Sequence, residues 1–152
     1  MKKIGDLGEK LVARWLELHH HQILARNWRC RWGEIDLIAQ EKTTKAIAFV
    51  EVKTRSSRNW DADGMLAVDY TKQQKLIKTA SLFLAQHPLL AELPCSFDIA
   101  LVSYQQMNST TEALASSTIA DFAQINDLEI SHPVVVQSCQ LRVKDYFPAS
   151  FD

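Results

Sequence analysis

Two apolar segments with embedded acidic residues constrain the fold of this chain more than any other feature of its sequence. Residues 33–39 read GEIDLIA, and residues 49–55 read FVEVKTR. Both segments are rich in β-branched and apolar residues, whereas residues 40–45 between them are polar. This pattern predicts a hairpin of two adjacent strands.

Alternation along these two strands predicts which charged side chains can meet. Successive side chains of a strand point to opposite faces, so Glu34, Asp36 and Ile38 are expected on one face of the first strand. Glu51 and Lys53 are expected on one face of the second strand. A pairing register that joins these faces gathers two carboxylates and one ammonium group at one point.

Carboxylates beside a lysine suit the hydrolysis of phosphate esters. Magnesium prefers oxygen ligands, usually one or two carboxylates with water and substrate phosphate. A nearby lysine can orient a water molecule or stabilise negative charge on the phosphate. The alternative is a solvated sheet whose ion pairs contribute little. The apolar neighbours of Asp36 and Glu51 favour the functional interpretation, because charges in a half-buried sheet are costly unless paired or metal-bound.

The order of these residues resembles a known family. Asp36 followed by Glu51-x-Lys53 resembles the signature of the PD-(D/E)XK nuclease superfamily. Together with a glycine motif at residues 5–9 and the sequence ARNWR at residues 25–29, it resembles the YraN-like (UPF0102) family of small bacterial proteins. The resemblance runs from residue 5 to about residue 104. It implies an α/β restriction-endonuclease-like fold, with a mixed central β-sheet flanked by helices, similar to the archaeal Holliday-junction resolvases.

The resemblance also implies a function and a set of site residues. It implies a metal-dependent endonuclease that cleaves DNA; the similarity to resolvases adds branched DNA as one candidate substrate, and the sequence does not distinguish branched from linear DNA. Asp36, Glu51 and the backbone carbonyl of Val52 would hold Mg²⁺ or Mn²⁺, and Lys53 would act on the attacking water or the developing charge. Glu9 matches an acidic residue on the first helix of many relatives. The related resolvases suggest a homodimer.

Basic side chains around the two strands are candidate nucleic-acid contacts. These candidates are Arg26, Arg29, Arg31, Arg55, Arg58 and Lys72. Arginines interleaved with tryptophans suit phosphate contacts and base stacking, although a sheet edge with half-buried tryptophans would show the same pattern. Arg55 and Arg58 lie in or beside a polar segment after the second strand, which a solvated loop explains equally well.

The distribution of charge supports this placement. The net charge is −1, which by itself does not indicate nucleic acid. Residues 1–80, however, contain 15 Lys or Arg and 10 Asp or Glu, whereas residues 81–152 contain 2 and 8. The half with the motif is therefore the basic half. Three cysteines without metal-ligand spacing favour a reducing, cytoplasmic compartment, and no apolar run approaches membrane-spanning length.

Hydrophobic periodicity predicts the remaining elements. Apolar residues at steps of three and four predict amphipathic helices over residues 3–20 and 69–86, and a short strand is expected at residues 23–28. The apolar run 97–104 predicts a buried central strand, in which Asp98 is assigned a structural role.

The last third of the chain gives weaker patterns. Residues 105–117 are polar and predict a loop, residues 119–130 a short helix or strand, and residues 132–136 and 141–143 a pair of edge strands. Residues 1–152 are interpreted as a single domain, in which about 105–140 form an insertion atypical of the family.

Two other interpretations remain open at this stage. One is a non-catalytic nucleic-acid-binding or scaffold module that retains the fold. The other is that the sheet carboxylates form purely structural ion pairs. An intact trio of Asp36, Glu51 and Lys53 favours the enzyme, because uncompensated carboxylates would repel a phosphate.

Overall fold

The chain combines two α-helices with six strands in a computed structural model that describes residues 2–57, 69–107 and 121–151. The helices and strands in these ranges are α1 (Lys2–Leu18), β1 (His21–Cys30), β2 (Gly33–Glu41), β3 (Ile47–Ser56), α2 (Tyr70–Ala85), β4 (Cys95–Gln106), β5 (Val134–Val136) and β6 (Cys139–Phe151). Two short 3₁₀ helices, Pro88–Leu90 and Phe122–Gln124, complete the described elements.

The six strands form one mixed sheet in the order β1-β2-β3-β4-β6-β5. Strands β3 and β4 are parallel, and every other neighbouring pair is antiparallel. A parallel pair needs a crossover connection, and α2 lies within that connection. The predicted mixed α/β architecture is confirmed, as are both predicted helices and the central strand β4.

Each α-helix covers one face of the sheet. Leu11, Val12 and Leu16 of α1 are fully buried and belong to one core cluster with residues of β2, β3, β4, β5 and β6. Leu76 and Phe83 of α2 belong to a second cluster with residues of β2 and β3. Asp69 caps α2, because its side chain accepts a hydrogen bond from Lys72 N. None of the described helices is long and apolar enough to cross a membrane.

Asp98 has the structural role expected of it. Its carboxylate is 5% exposed and accepts hydrogen bonds from Ser96 Oγ, from the Tyr146 hydroxyl and from Ala149 N. Burial, reinforced by the Asp98 charge, raises the pKa of Tyr146. Because Tyr146 and Ala149 belong to β6, these hydrogen bonds connect β6 to β4.

The last third of the chain differs from its prediction. Strand β5 lies at the sheet edge as expected, but β6 extends over 13 residues and lies between β4 and β5. Its inner position explains why Leu141 and Val143 are completely buried. Residues 122–124 form the short helix that was one of two alternatives. Most of the predicted loop 105–117 lies outside the described residues, although β4 continues to Gln106.

Gly8 allows α1 to approach β3 closely. A Cβ atom at Gly8 would lie 2.1 Å from Thr54 Oγ1, whereas a Cβ atom at Gly5 would meet no atom within 4 Å. The close approach therefore involves Gly8 and not Gly5. The contact positions the first turns of α1, including Glu9, against the sheet.

Replacing these two glycines should change stability in opposite directions. We expect Gly8→Ala to lower the free energy of unfolding by about 1–3 kcal/mol, because the new methyl group overpacks the contact with Thr54. Gly5→Ala, the matched control, should raise it by up to about 1 kcal/mol through helix propensity alone. Urea denaturation measures both changes. A stabilised Gly8→Ala variant would contradict the close approach of α1 to β3.

Candidate functional site

The candidate site lies where strands β2 and β3 separate. Their antiparallel pairing runs from Gln40 opposite Ile47 to Leu37 opposite Val50 and ends there. In place of the next backbone pair, Asp36 Oδ2 accepts a hydrogen bond from Val52 N at 2.8 Å. The Asp36 side chain therefore satisfies the backbone N–H of Val52, which has no backbone acceptor on β2.

Glu51 and two lysines form the next part of the site. Lys53 Nζ lies 3.4 Å from Glu51 Oε2, and Lys72 Nζ lies 2.9 Å from Glu51 Oε1. The side chains of Glu51 and Lys53 are 17% and 11% exposed, whereas that of Lys72 is 47% exposed. Glu51 Oε2 is buried without a hydrogen-bond partner, so its contact with Lys53 is an ion pair without hydrogen-bond geometry.

Asp36 lies among other acidic groups. Burial and, to a smaller extent, the charges of Glu9, Glu51 and Glu34 together raise its pKa to about 7, against the lowering effect of the Val52 N–H. Within the described ranges, no cationic side chain lies within 4 Å of its carboxylate. Without a metal ion, the surroundings of Asp36 therefore disfavour the ionised form of its carboxyl group.

Glu9 brings a third carboxylate to the site from α1. Burial raises its pKa, the charges of Asp6 and Glu34 add to that effect, and hydrogen bonds with the side chains of Asn27 and Asp36 oppose it. Glu9 on α1 therefore interacts with Asn27 of β1 and with Glu34 and Asp36 of β2. Asn27 was not anticipated, although an asparagine within a strand is unusual, and it takes a positive φ of 49°.

The predicted alternation of side chains on β2 is wrong in part. Ile35 and Ile38 belong to the cluster beneath α2, whereas Leu37 and Ala39 belong to the cluster beneath α1. A strict period of two cannot place both isoleucines on one side. The alternation breaks between Ile35 and Leu37, where the pairing of β2 with β3 ends. The Asp36 side chain still contacts β3. It does so at the position where β2 and β3 stop pairing, and not as one of a row of alternating side chains on a paired strand.

The donor atoms at the site suit a hard divalent cation. Asp36 and Glu51 supply carboxylate oxygens, and one of these, Glu51 Oε2, is buried without a hydrogen bond. The carbonyl of Val52 is directed to the same edge of β3 as its N–H, because both groups of a strand residue point to the same side. No three His, Cys, Asp or Glu side chains in the described part of the chain are arranged to hold a metal as they stand. The oxygen donors nevertheless fit Mg²⁺ or Mn²⁺ in type and charge.

The candidate nucleic-acid contacts are distributed over several surfaces. Lys72 reaches the site through Glu51. Arg26 is exposed on the α1 side, in a pocket with Glu9 and Asn27. Arg29 forms an ion pair with Glu34.

The other arginines lie farther from the carboxylates or bond locally. Arg31 lies against the Trp32 ring, with its Cζ 4.8 Å from the ring centre. Arg55 donates to the carbonyl of Thr54 at 2.9 Å. Arg58 lies outside the described residues. Among the candidates placed, Lys72 therefore has the direct contact with the predicted trio.

The fold and the site together define a mixed α/β protein whose acidic and lysine side chains meet where two central strands diverge. Residues 8–102 match the model of a family described as "Uncharacterised protein family UPF0102", and the chain belongs to this family. A UPF0102 protein of Acaryochloris marina is 46% identical over 158 residues, which cover 98% of this chain and 90% of the relative. A UPF0102 protein of Synechocystis sp. is 42% identical over 151 residues, 99% of each chain.

Proposed function

We propose that this protein is a metal-dependent endonuclease of the PD-(D/E)XK superfamily, with a restriction-endonuclease-like fold, that acts on DNA. The observation that carries the proposal is the convergence of Asp36, Val52, Glu51 and Lys53 where β2 leaves β3. The spacing of these residues along the chain matches the nuclease signature, and their juxtaposition in space is what that chemistry requires.

The side chains of the site divide the work of hydrolysis. Asp36, Glu51 and the Val52 carbonyl would hold Mg²⁺ or Mn²⁺. The bound cation would polarise the scissile phosphate and lower the pKa of a water ligand. Lys53, largely buried beside Glu51, is placed to orient the attacking water and to stabilise negative charge on the phosphate.

Lys72 and Glu9 have supporting roles in this proposal. Lys72 is the more exposed of the two lysines at Glu51, so its side chain can turn toward a substrate phosphate while Lys53 remains in place. Glu9 approaches Asp36 from α1, where it would contact metal-bound water or a second cation. The acidic charge of the site then becomes balanced when metal binds.

A non-catalytic DNA-binding module is the second candidate function. The observation that favours it is the pair of lysines at Glu51, which neutralises that carboxylate without any metal. Asp36 has no such cation among the described residues, and a module that only docks DNA gains nothing from an unpaired, half-buried carboxylate. We therefore prefer the enzyme.

A cleavage assay separates the two functions. Purified protein would be incubated with labelled single-stranded, duplex, flapped and four-way-junction DNA in Mn²⁺ or Mg²⁺, beside the Asp36→Asn and Lys53→Met variants. We expect metal-dependent cleavage by the wild type, with loss in both variants of at least about a hundredfold.

The control for this assay is Asp127→Asn, which removes an exposed carboxylate on the segment before β5. It should cleave like the wild type. If the wild type binds DNA in a salt-sensitive way but does not cleave it, the non-catalytic DNA-binding module becomes the preferred function and the nuclease proposal is rejected. Cleavage that persists in Asp36→Asn would place the active site elsewhere.

A further inference from the structure

We infer that the tip of the β1–β2 hairpin and the exposed face of α2 bind unpaired nucleotides of DNA. The surface consists of Arg31, Trp32, Lys75 and Lys78, and is called the Trp32 platform below. The inference rests on the proposed function, since it names the form of DNA that the proposed active site would receive. It assigns to Trp32, Lys75 and Lys78 a direct part in substrate binding.

The hairpin presents Trp32 to solvent in a fixed position. Cys30 pairs with Gly33, so Arg31 and Trp32 alone form the connecting turn. Gly33 takes a φ of +155°, a conformation that L-residues rarely adopt. The turn is held from within, because Trp32 N donates to Cys30 Sγ. The Trp32 residue remains 37% exposed.

Cations surround the exposed indole. Lys78 Nζ lies 4.5 Å from the centre of the Trp32 ring, and Arg31 Cζ lies 4.8 Å from it. An aromatic ring that offers a stacking surface between cations is the arrangement that proteins use for single-stranded nucleic acids, where bases stack and phosphates pair with the charges. Both cations are exposed, so each can leave the ring for a phosphate when a base stacks on it.

The face of α2 that adjoins Trp32 is positively charged. The helix contains Lys72, Lys75 and Lys78 and no acidic residue, and all three lysines are exposed. On the hairpin, Glu34 is neutralised by its ion pair with Arg29. Among the described residues of α2 and of this hairpin tip, no unpaired carboxylate therefore competes with phosphates for the platform.

The platform is connected to the proposed active site by α2. Lys72 contacts Glu51, and Lys78 lies six residues farther along the helix, which corresponds to about 9 Å. At about 3.4 Å per stacked nucleotide, this is the length of two or three nucleotides. A strand whose phosphate is at Glu51 would thus place a nearby base at Trp32. In a continuous duplex that base is stacked between its neighbours, so the geometry favours single-stranded or flapped DNA.

Binding measured without metal tests the inference independently of cleavage. In EDTA, fluorescence anisotropy would compare a 12-nucleotide single strand, the same strand with abasic sites, and a blunt duplex. We expect Trp32→Ala to weaken binding of the intact strand about tenfold and Trp32→Phe to retain most of the affinity. Abasic sites should weaken binding to the wild type by a similar factor but have little effect on Trp32→Ala. Binding of the duplex should not depend on Trp32.

Lys78, the platform lysine that contacts the Trp32 ring, has a matched control at the far end of the sheet. Lys78→Ala should reduce the slope of log affinity against log salt by about 0.7 for the single strand, the value expected for one lost phosphate contact. Lys42→Ala, in the exposed turn between β2 and β3, should leave the slope unchanged. If Lys78→Ala and Lys42→Ala change the salt dependence equally, binding depends only on general electrostatic attraction, and the inference is overturned.

The outcomes distinguish this inference from the proposed catalysis. If Trp32→Ala binds the intact strand as the wild type does, or if the wild type does not prefer single strands to the duplex, the platform is refuted even when the protein cleaves DNA. If discrimination against abasic strands depends on Trp32 but no DNA is cleaved with Mn²⁺ or Mg²⁺, the platform stands and the nuclease activity is refuted.

Discussion

Asp36→Asn is expected to stabilise the metal-free protein at pH 8 while removing its response to metal. The carboxyl of Asp36 has a pKa of about 7 in the folded chain, raised mainly by burial and then by neighbouring carboxylates, against an ordinary value of 3.8. Because the folded state holds this proton more tightly than the unfolded state, stability falls as pH rises from about 4 to about 7. The difference corresponds to about 4 kcal/mol at pH 8, and the amide avoids this cost.

Urea denaturation in EDTA at pH 8 and pH 4.5 measures the effect. The free energy of unfolding of Asp36→Asn should exceed that of the wild type by up to about 4 kcal/mol at pH 8 and by about 1 kcal/mol at pH 4.5. The exposed control Asp127→Asn should stay within about 0.5 kcal/mol at both values. Destabilisation of Asp36→Asn at pH 8 would mean that a favourable partner stabilises the charge.

Metal should narrow the stability difference between the wild type and Asp36→Asn. A cation that binds only the folded wild type adds about 2.7 kcal/mol at a hundred times its dissociation constant. With millimolar Mn²⁺ the melting temperature of the wild type should therefore rise, whereas that of Asp36→Asn should not. A site that evolved only as a structural ion-pair network would show no such rise.

Glu51→Gln is expected to destabilise the same metal-free protein, although it also removes a carboxylate from the site. Lys53 is 11% exposed, and among the described residues Glu51 is the acidic side chain within 4 Å of it. Removing that charge leaves a largely buried ammonium group without a partner. The loss should be about 2–4 kcal/mol, somewhat below the full cost for a completely buried pair.

A double substitution separates the loss of the ion pair from other effects of Glu51→Gln. In Glu51→Gln with Lys53→Met both charges of this ion pair are removed, so no ammonium group is left without its partner and this protein should be more stable than Glu51→Gln alone. The measurement is the free energy of unfolding in EDTA at pH 7 for the wild type, both single variants and the double variant. Additive losses would show that Glu51 and Lys53 act independently.

The strands of the site could be predicted from sequence because their signals are local. Residues 33–39 and 49–55 lie within β2 and β3 apart from small differences at their ends, and the run 97–104 lies within β4. Their apolar character follows from burial between two helices, which any similar sheet would require. Glu51 and Lys53, two positions apart on one strand, were therefore placed correctly.

The contacts that complete the site could not be predicted in the same way. The hydrogen bond from Val52 N to Asp36 depends on where β2 and β3 stop pairing, which tertiary packing determines. Strand β6 was underestimated for a related reason. Its pairing with β4 contains register shifts between Phe97 and Ile99 and between Leu101 and Val102, and such bulges interrupt the alternation by which strands are recognised.

The position of β6 determines when the domain can finish folding. Trp15 of α1 packs against Tyr146 of β6, with ring centres 5.0 Å apart, and β6 also separates β4 from β5. The first helix and the last strand thus share one core across almost the whole length of the chain. Contacts between such distant segments slow folding. During synthesis, the buried face of the helix that bears Glu9 is fully covered only after β6 has left the ribosome.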